Sequence, residues 1–117
     1  TLDPTVLAIH HSWDGKALDE AEFVDVTLCE GLDAGGVIVV VDAPFFDDPA
    51  PSMPPGATKY EDQLWESEVV EVFIGTKGPS ENMPYLELEL GPHGHWLGLR
   101  LQGAHSVVET FSSGLEY

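Results

Sequence analysis

The chain has 117 residues, 43% of them hydrophobic, and its 21 Asp or Glu outnumber 4 Lys or Arg to give a formal net charge of −17. This length suits one globular domain with a modest core. The acidity argues against nucleic acid and against an anionic membrane surface as partners, because both need a basic surface. It suits a neutral ligand, a cation or a basic protein partner.

Cysteine content and apolar run length say little about location. Cys29 is the only cysteine in the sequence, so an internal disulfide is excluded. This slightly favours a reducing compartment such as the cytoplasm. Because the sequence begins at Thr1 and not at Met, the hypothesis of a cleaved leader peptide stays open. The apolar run at 37–43 is too short to span a membrane.

The first half of the sequence alternates apolar and polar residues with the period of a β-strand. Strands are predicted over 6–13, 21–29 and 37–43, with a turn at Asp14-Gly15. The run "VIVVVDA" at 37–43 is β-branched on both faces, which predicts a central strand covered on both sides. The proline-rich segment 44–56 predicts a long loop, since proline cannot donate to a sheet.

The second half predicts four further strands, over 67–75, 84–91, 95–103 and 106–111. The short "GPHG" segment between the second and third of these predicts an antiparallel hairpin. Helix is expected only as a weak candidate near Asp14–Phe23 and as one turn before Ser67. Together these strands predict an all-β chain, an antiparallel β-sandwich forming a single domain over residues 1–117.

Alternation along the last strands predicts how their side chains divide between the two faces of the sheet. The aliphatic residues of 84–91 and 95–103 are expected to form one continuous core face. The opposite face then collects six polar or aromatic side chains: Glu71, Tyr85, Glu87, Glu89, Trp96 and Arg100. Aromatic rings beside carboxylates and a guanidinium suit a sugar, whose C–H side packs on a ring while its hydroxyls bind the polar groups. The alternative is a solvated face with Glu–Arg pairs, each contributing at most about 1 kcal/mol.

Other chemistries receive less support from the sequence. Glu87 and Glu89 have a spacing common in ordinary strands, so a glycosidase pair is a weak hypothesis. His93 and His95 flank a turn glycine and would need a third metal ligand that no spacing supplies. Asp47-Asp48 lacks the spacing of an EF-hand calcium loop. No nucleophile elbow or phosphate-binding loop is present in the sequence.

Four segments carry a family resemblance: "HHSWDG", "DAPFFDDPAPSMPPG", "LWESEVVEVFIG" and "YLELELGPHGHWLGLRLQG". In this order they resemble the uncharacterised protein family that includes the human protein called chromosome 4 open reading frame 33. The most specific phrases are "LW-x-x-EVVE" and "YLE-x-EL-x-PHG". That family in turn is similar to carbohydrate-binding module family 9 and to the wider group of DOMON-like β-sandwiches.

This resemblance implies a β-sandwich with a ligand face and without catalytic machinery. In the sugar-binding modules, a tryptophan just before the "EVF"-type strand stacks on the sugar and a carboxylate of that strand binds its hydroxyls. The matching residues here are Trp65 and Glu71. Structural calcium is common in those modules, but no ligand set can be transferred to this sequence. Family members continue past the equivalent of Phe111, so the chain is expected to be the N-terminal part of a longer domain, with its sandwich incomplete.

The leading hypothesis is therefore a non-catalytic module that binds a carbohydrate or a similar polar ligand, without a cofactor. Trp65 and Glu71 are its central residues, with Tyr85, Glu87, Glu89, Trp96 and Arg100 as neighbours. Two alternatives stay open. One is an accessory subunit of a larger assembly, in which a protein partner completes the sandwich. The other is a metal-dependent enzyme that uses the turn of His93 and His95.

Overall fold

A computed structural model describes residues 3–31, 35–54, 59–75 and 82–111. These residues form antiparallel β-structure with almost no helix, which confirms the predicted all-β class. Their strands are β1 (Thr5–Ile9), β2 (Val24–Glu30), β3 (Val37–Asp42), β4 (Lys59–Tyr60), β5 (Val70–Gly75), β6 (Pro84–Leu90), β7 (His95–Gln102) and β8 (Val107–Phe111). Two short 3₁₀ turns, Glu20–Glu22 and Leu64–Glu66, replace the predicted helical segments. None of the helical turns in the described residues has the length and apolarity that a membrane crossing needs.

The chain divides into two compact units, Thr1–Phe45 and Phe46–Tyr117. The first unit contains a three-stranded sheet in the order β1-β2-β3, and both pairings are antiparallel. Its β-branched residues suit the pleated backbone of a strand. The prediction that β3 is a central strand is wrong for the described residues, because β3 lies at the edge of this sheet. Val37 at its start is 70% exposed.

The second unit contains a sheet in the order β4-β7-β6-β5, and β8 also pairs with β7. Its pairings are antiparallel except for the two-residue strand β4, which runs parallel to β7. β6 is thereby placed between β5 and β7, so side chains from three strands meet on each face. The functional candidates of the sequence belong to this unit.

The core of the second unit is small and leucine-rich. Leu97, Leu99 and Leu101 point from one face of β7 and pack with Leu64 from the second 3₁₀ turn, and all four are buried. Tyr60, Val69 and Tyr85 pack against this cluster and are partly buried. Full burial of one such leucine is worth about 1.5–3 kcal/mol, so this cluster is the main apolar anchor of the unit.

The register of the β6–β7 hairpin differs from the one that the alternation of apolar residues predicts. Leu90 pairs with Trp96, and the Gly91 N–H donates to the His95 carbonyl over 2.8 Å. The connection therefore contains only residues 92–94, with Gly94 in the left-handed region at a φ of 84°. Glycine reaches that region without a steric penalty, and three-residue hairpin loops commonly use it.

This register corrects the predicted distribution of side chains between the two faces. Directly paired residues in antiparallel strands lie on the same face. Because Glu89 pairs with Leu97 and Glu87 pairs with Leu99, the glutamates share their face with the core leucines of β7. The predicted single aliphatic face is therefore wrong.

The proline-rich segment is an irregular loop, as predicted, and acidic side chains anchor it. The Glu68 carboxylate accepts hydrogen bonds from the backbone N–H groups of Phe46 and Asp48, over 2.7 and 3.3 Å. The buried Glu61 carboxylate accepts from the N–H groups of Ser52 and Met53, over 3.1 and 3.2 Å. The carboxylates of Glu61 and Glu68 therefore both bind the backbone of the loop.

Candidate functional site

Three carboxylates meet on one face of the second sheet. Glu71 of β5 lies directly opposite Glu89 of β6, and Glu87 lies two residues before Glu89 on the same face. One oxygen from each of the three groups lies within 4.8 Å of the other two. The prediction that these glutamates share a face is confirmed by this pairing. We call Glu71, Glu87 and Glu89 the glutamate cluster.

The three members differ in their access to solvent. Glu71 is exposed, Glu87 is half-buried, and Glu89 is completely buried at 0% exposure. Neither carboxyl oxygen of Glu89 has a hydrogen-bond partner outside the glutamate cluster among the described residues, and within the cluster its hydrogen-bond neighbour is Glu87. Burial of a polar group without such a partner is costly, so Glu89 is an unusual occupant of a leucine-rich face.

Burial and charge repulsion change the acidity of the cluster. Burial, with the charges of Glu71 and Glu87 as further causes, raises the pKa of Glu89 from 4.5 to about 8. Partial burial, followed by the charge of Glu87, also raises the pKa of Glu71. Both shifts have the sign expected when carboxylates are withdrawn from water and placed near one another. At neutral pH and without a bound cation, Glu89 therefore retains its proton.

Two aromatic rings lie beside the cluster on the same face. Phe73 pairs directly with Glu87 across β5 and β6, and its side chain is 57% exposed. The Tyr85 ring lies next to it, with centroids 6.1 Å apart and planes tilted by 52°. Phe73 lies two residues after Glu71 in the same strand, which puts both on one face, but it was not among the predicted site residues. Its pairing with Glu87 depends on the β5–β6 register, which the sequence alone does not specify.

Two of the predicted ligand residues lie on the other face. Trp96 pairs with Leu90 and Arg100 pairs with Leu86, so both point away from the glutamate cluster. Trp96 is 3% exposed, which leaves its ring without a surface for stacking. The Arg100 Nε donates to Glu109 of β8 over 3.0 Å. The prediction that these two side chains join the acidic face is wrong, because the hairpin loop is one residue shorter than the four-residue "GPHG" segment.

Trp65 lies in the second 3₁₀ turn, just before β5. Its side chain is 47% exposed, while its neighbour Leu64 is buried in the leucine cluster. Gln63, which directly precedes the turn, has a left-handed backbone conformation with a φ of 56°. Trp65 is therefore available to a ligand from solvent, as the stacking hypothesis requires.

His93 contacts Asp47 of the loop, and His95 contacts the backbone of the loop. The His93 Nε2 lies 2.7 Å from the Asp47 Oδ1, which joins the hairpin to the loop. The buried His95 places its Nε2 3.1 Å from the Pro54 carbonyl oxygen and 4.0 Å from the Glu61 Oε2. The two imidazoles thus have different partners. Within the described ranges, the glutamate cluster is the group of three or more His, Cys, Asp or Glu residues whose donor atoms could hold one ion.

A shallow cleft of about 240 Å³ lies between the loop and the second 3₁₀ turn. Its walls are polar and include Ser52, Glu61 and Glu66. The Glu61 Oε1 also accepts a short hydrogen bond from the Ser52 hydroxyl. The contacts of Glu61 therefore hold the loop against the sheet, and the cleft offers no aromatic wall.

Known proteins with similar sequences share one description. The chain is 41% identical over 100 residues to the UPF0462 protein C4orf33 homolog of Danio rerio. It is 42% identical over 100 residues to the human UPF0462 protein C4orf33, and 40% identical over 101 residues to the mouse homolog. The chain is thus similar in sequence to UPF0462 proteins over most of its own length. This confirms the first part of the resemblance seen in the sequence motifs.

Each of these matches covers 85% of this chain but only 46–48% of the UPF0462 relative. The chain thus spans about half the length of the curated relatives it matches. No family model and no solved structure matches the chain. The likeness to carbohydrate-binding module family 9 therefore stays a prediction.

Proposed function

We propose that the chain is a non-catalytic binding module for a polyhydroxylated ligand such as a carbohydrate. The observation that carries this proposal is the position of Phe73 and Tyr85 beside Glu71 and Glu87 on one partly exposed sheet face. A sugar ring packs its C–H side on an aromatic surface and donates its hydroxyl protons to carboxylates. This face offers both kinds of contact within one β-hairpin.

The exposed aromatic in this arrangement is Phe73. Its side chain is 57% exposed, whereas Tyr85 is half-buried against the leucine core. Phe73 would therefore supply the stacking surface, and Tyr85 would fix its ring from the side. The exposed Glu71 and the half-buried Glu87 would accept hydroxyl protons. Trp65 would add a second aromatic contact from the turn before β5.

Charge also limits the ligand class. With 21 acidic against 4 basic residues, the chain repels anionic ligands such as nucleotides and sulfated sugars. A neutral sugar carries no such penalty, because its hydroxyl groups donate to carboxylates without a change in charge. The proposed ligand is therefore a neutral saccharide.

The test is a titration of the full-length protein with a panel of neutral saccharides in buffer containing EDTA. Binding is detected through NMR chemical shifts. We expect saturable shifts at residues of β5 and β6. Phe73→Ala should weaken binding about 2- to 10-fold, the range that corresponds to about 0.5–1.5 kcal/mol for an aromatic contact. Phe46→Ala is the matched control, since Phe46 is 62% exposed in the proline-rich loop.

Trp65→Ala should weaken binding as well, with Trp13→Ala as its control, because Trp13 is 99% exposed and belongs to the first unit. An absence of saturable shifts with every saccharide would contradict the proposal. Equal losses in Phe73→Ala and Phe46→Ala would contradict it too, because the aromatic contact would then be nonspecific.

A second candidate function is that of an accessory subunit. It is favoured by apolar side chains that are exposed in the three-stranded sheet, including Val6 at 63% and Leu7 at 51%. Exposed apolar side chains on neighbouring strands are typical of surfaces that bind another protein. The mass of the full-length protein in solution, measured by light scattering, tests this candidate. A stable monomer that binds no partner would argue against it.

A further inference from the structure

The glutamate cluster places negative charge where a sheet ordinarily avoids it. Carboxylates directly opposite one another repel, and Glu71 and Glu89 form such a pair with Glu87 beside them. The nearest residues of β7 on this face, Leu97 and Leu99, contribute no charge. Arg100, the basic residue of β7, points to the other face and binds Glu109. No Lys or Arg of β5, β6 or β7 therefore lies on the face of the glutamate cluster, and His95 of β7 is the histidine of this face.

Glu89 supplies an independent indication of a ligand. Its side chain is completely buried, neither of its oxygens has a hydrogen-bond partner outside the cluster in the described chain, and one of them faces Glu71 and Glu87 within 4.8 Å. A buried carboxyl group normally receives hydrogen bonds or binds a metal ion. A carboxyl oxygen of Glu89 that could bind an ion therefore faces one such oxygen from Glu71 and one from Glu87.

The separation of the three oxygens limits which ion they can share. One oxygen from each carboxyl group lies within 4.8 Å of the other two, so a single ion can reach all three. Ca²⁺ accepts several carboxylate ligands in irregular geometry. Mg²⁺ demands octahedral geometry and usually binds only one or two carboxylates. An all-oxygen donor set also suits hard cations rather than zinc or copper.

We propose that Glu71, Glu87 and Glu89 bind one hard divalent cation, with Ca²⁺ the best-fitting ion. Glu89 is the interior ligand, and the exposed Glu71 leaves the outer coordination positions to water. The site would join β5 to β6 and neutralise the repulsion between their carboxylates. This proposal does not rest on the saccharide proposed above.

The experiment is isothermal titration calorimetry of the chelator-stripped full-length protein with CaCl₂ alone, at pH 7.5. We expect one saturable site that binds Ca²⁺ more tightly than Mg²⁺.

Two double variants, each lacking two carboxyl groups, separate a built site from general attraction to an acidic protein. Glu71→Gln/Glu89→Gln removes two ligands of the cluster. Asp62→Asn/Glu66→Gln removes two exposed carboxylates of the same unit outside the cluster. We expect the first variant to lose the site and the second to keep it within about twofold, because screened surface charges contribute little at 0.15 M salt.

Three results would overturn the proposal: no saturable Ca²⁺ heat, equal binding by the wild type and both variants, or equal loss in both variants. Circular dichroism of each variant confirms that it is folded. The Phe73→Ala variant distinguishes this proposal from the proposed function, since it should lose saccharide affinity and keep the Ca²⁺ site. If the protein binds a saccharide in EDTA but has no Ca²⁺ site, the cation proposal is wrong and the saccharide proposal stands.

Discussion

Replacing Glu89 by glutamine should stabilise the protein at neutral pH. In the folded chain, the pKa of Glu89 is raised from 4.5 to about 8. Between these two values the unfolded chain ionises this group while the folded chain keeps it protonated. The folded state therefore loses stability relative to the unfolded state as pH rises from 4.5 to 8. Below 4.5 both states are protonated and this contribution vanishes.

The magnitude follows from the difference in pKa. At pH 7 the unfolded carboxyl is 2.5 pH units above its ordinary pKa of 4.5, and each unit corresponds to about 1.36 kcal/mol. Glu89 thus costs about 3 kcal/mol of unfolding free energy at that pH. Glutamine keeps the shape of the side chain, cannot ionise, and can donate its amide hydrogens to Glu71 and Glu87. We expect Glu89→Gln to gain about 2–3 kcal/mol at pH 7 and little at pH 4.5.

Urea unfolding in EDTA at a series of pH values measures this effect without a bound cation. The difference between Glu89→Gln and the wild type should grow steadily from pH 4.5 to pH 8 and then level off. Glu66→Gln is the control, because Glu66 is exposed in the same unit and should give a nearly constant difference. Parallel pH profiles for the wild type and Glu89→Gln would refute the reasoning.

Further predictions concern the core, the hairpin and the loop. Leu97→Ala should lower the unfolding free energy by about 2–5 kcal/mol in urea melts, because Leu97 is completely buried. Gly94→Ala should cost about 1–2 kcal/mol by the same measurement, since its φ of 84° is unfavourable for a side chain. Arg100→Ala should change stability by less than about 1 kcal/mol and leave saccharide and Ca²⁺ titrations unchanged, because its ion pair with Glu109 is exposed and lies on the other face. Glu61→Gln should speed hydrogen exchange of the Ser52 amide, measured by NMR, because the charged acceptor of that N–H is lost.

Much of the fold follows from the alternation of apolar residues. The predicted strands around 37–43, 67–75, 84–91, 95–103 and 106–111 all correspond to observed strands, within a few residues at each end. The face of Glu71, Tyr85, Glu87 and Glu89 was predictable as well, because β5 and β6 each alternate without interruption. A strand period of two decides which residues of one strand share a face.

The relation between neighbouring strands was not predictable from alternation. Alternation places the leucines of β7 on one face and predicts that they join the leucines of β6, whereas the structure pairs Leu97 with Glu89 and Leu99 with Glu87. The register depends instead on the closing of the hairpin at Gly91 and His95, around a left-handed Gly94. The burial of Glu89 could not be predicted for the same reason, since it depends on Leu97 as its partner. Local turn geometry, rather than hydrophobic pattern, decided the composition of the site.

The three-residue loop at 92–94 also bears on how such a protein can change over evolution. If one residue were inserted between Gly91 and His95 and the loop still closed with three residues after Gly91, Gly94 would face Gly91 and Glu89 would face Trp96. The acidic face would then gain a tryptophan and an arginine, while the leucines would move to the opposite side. If the insertion instead lengthened the loop to four residues, Glu89 would keep Leu97 as its partner. The conformation of this loop, and not only its length, therefore decides which side chains of β7 face the glutamate cluster.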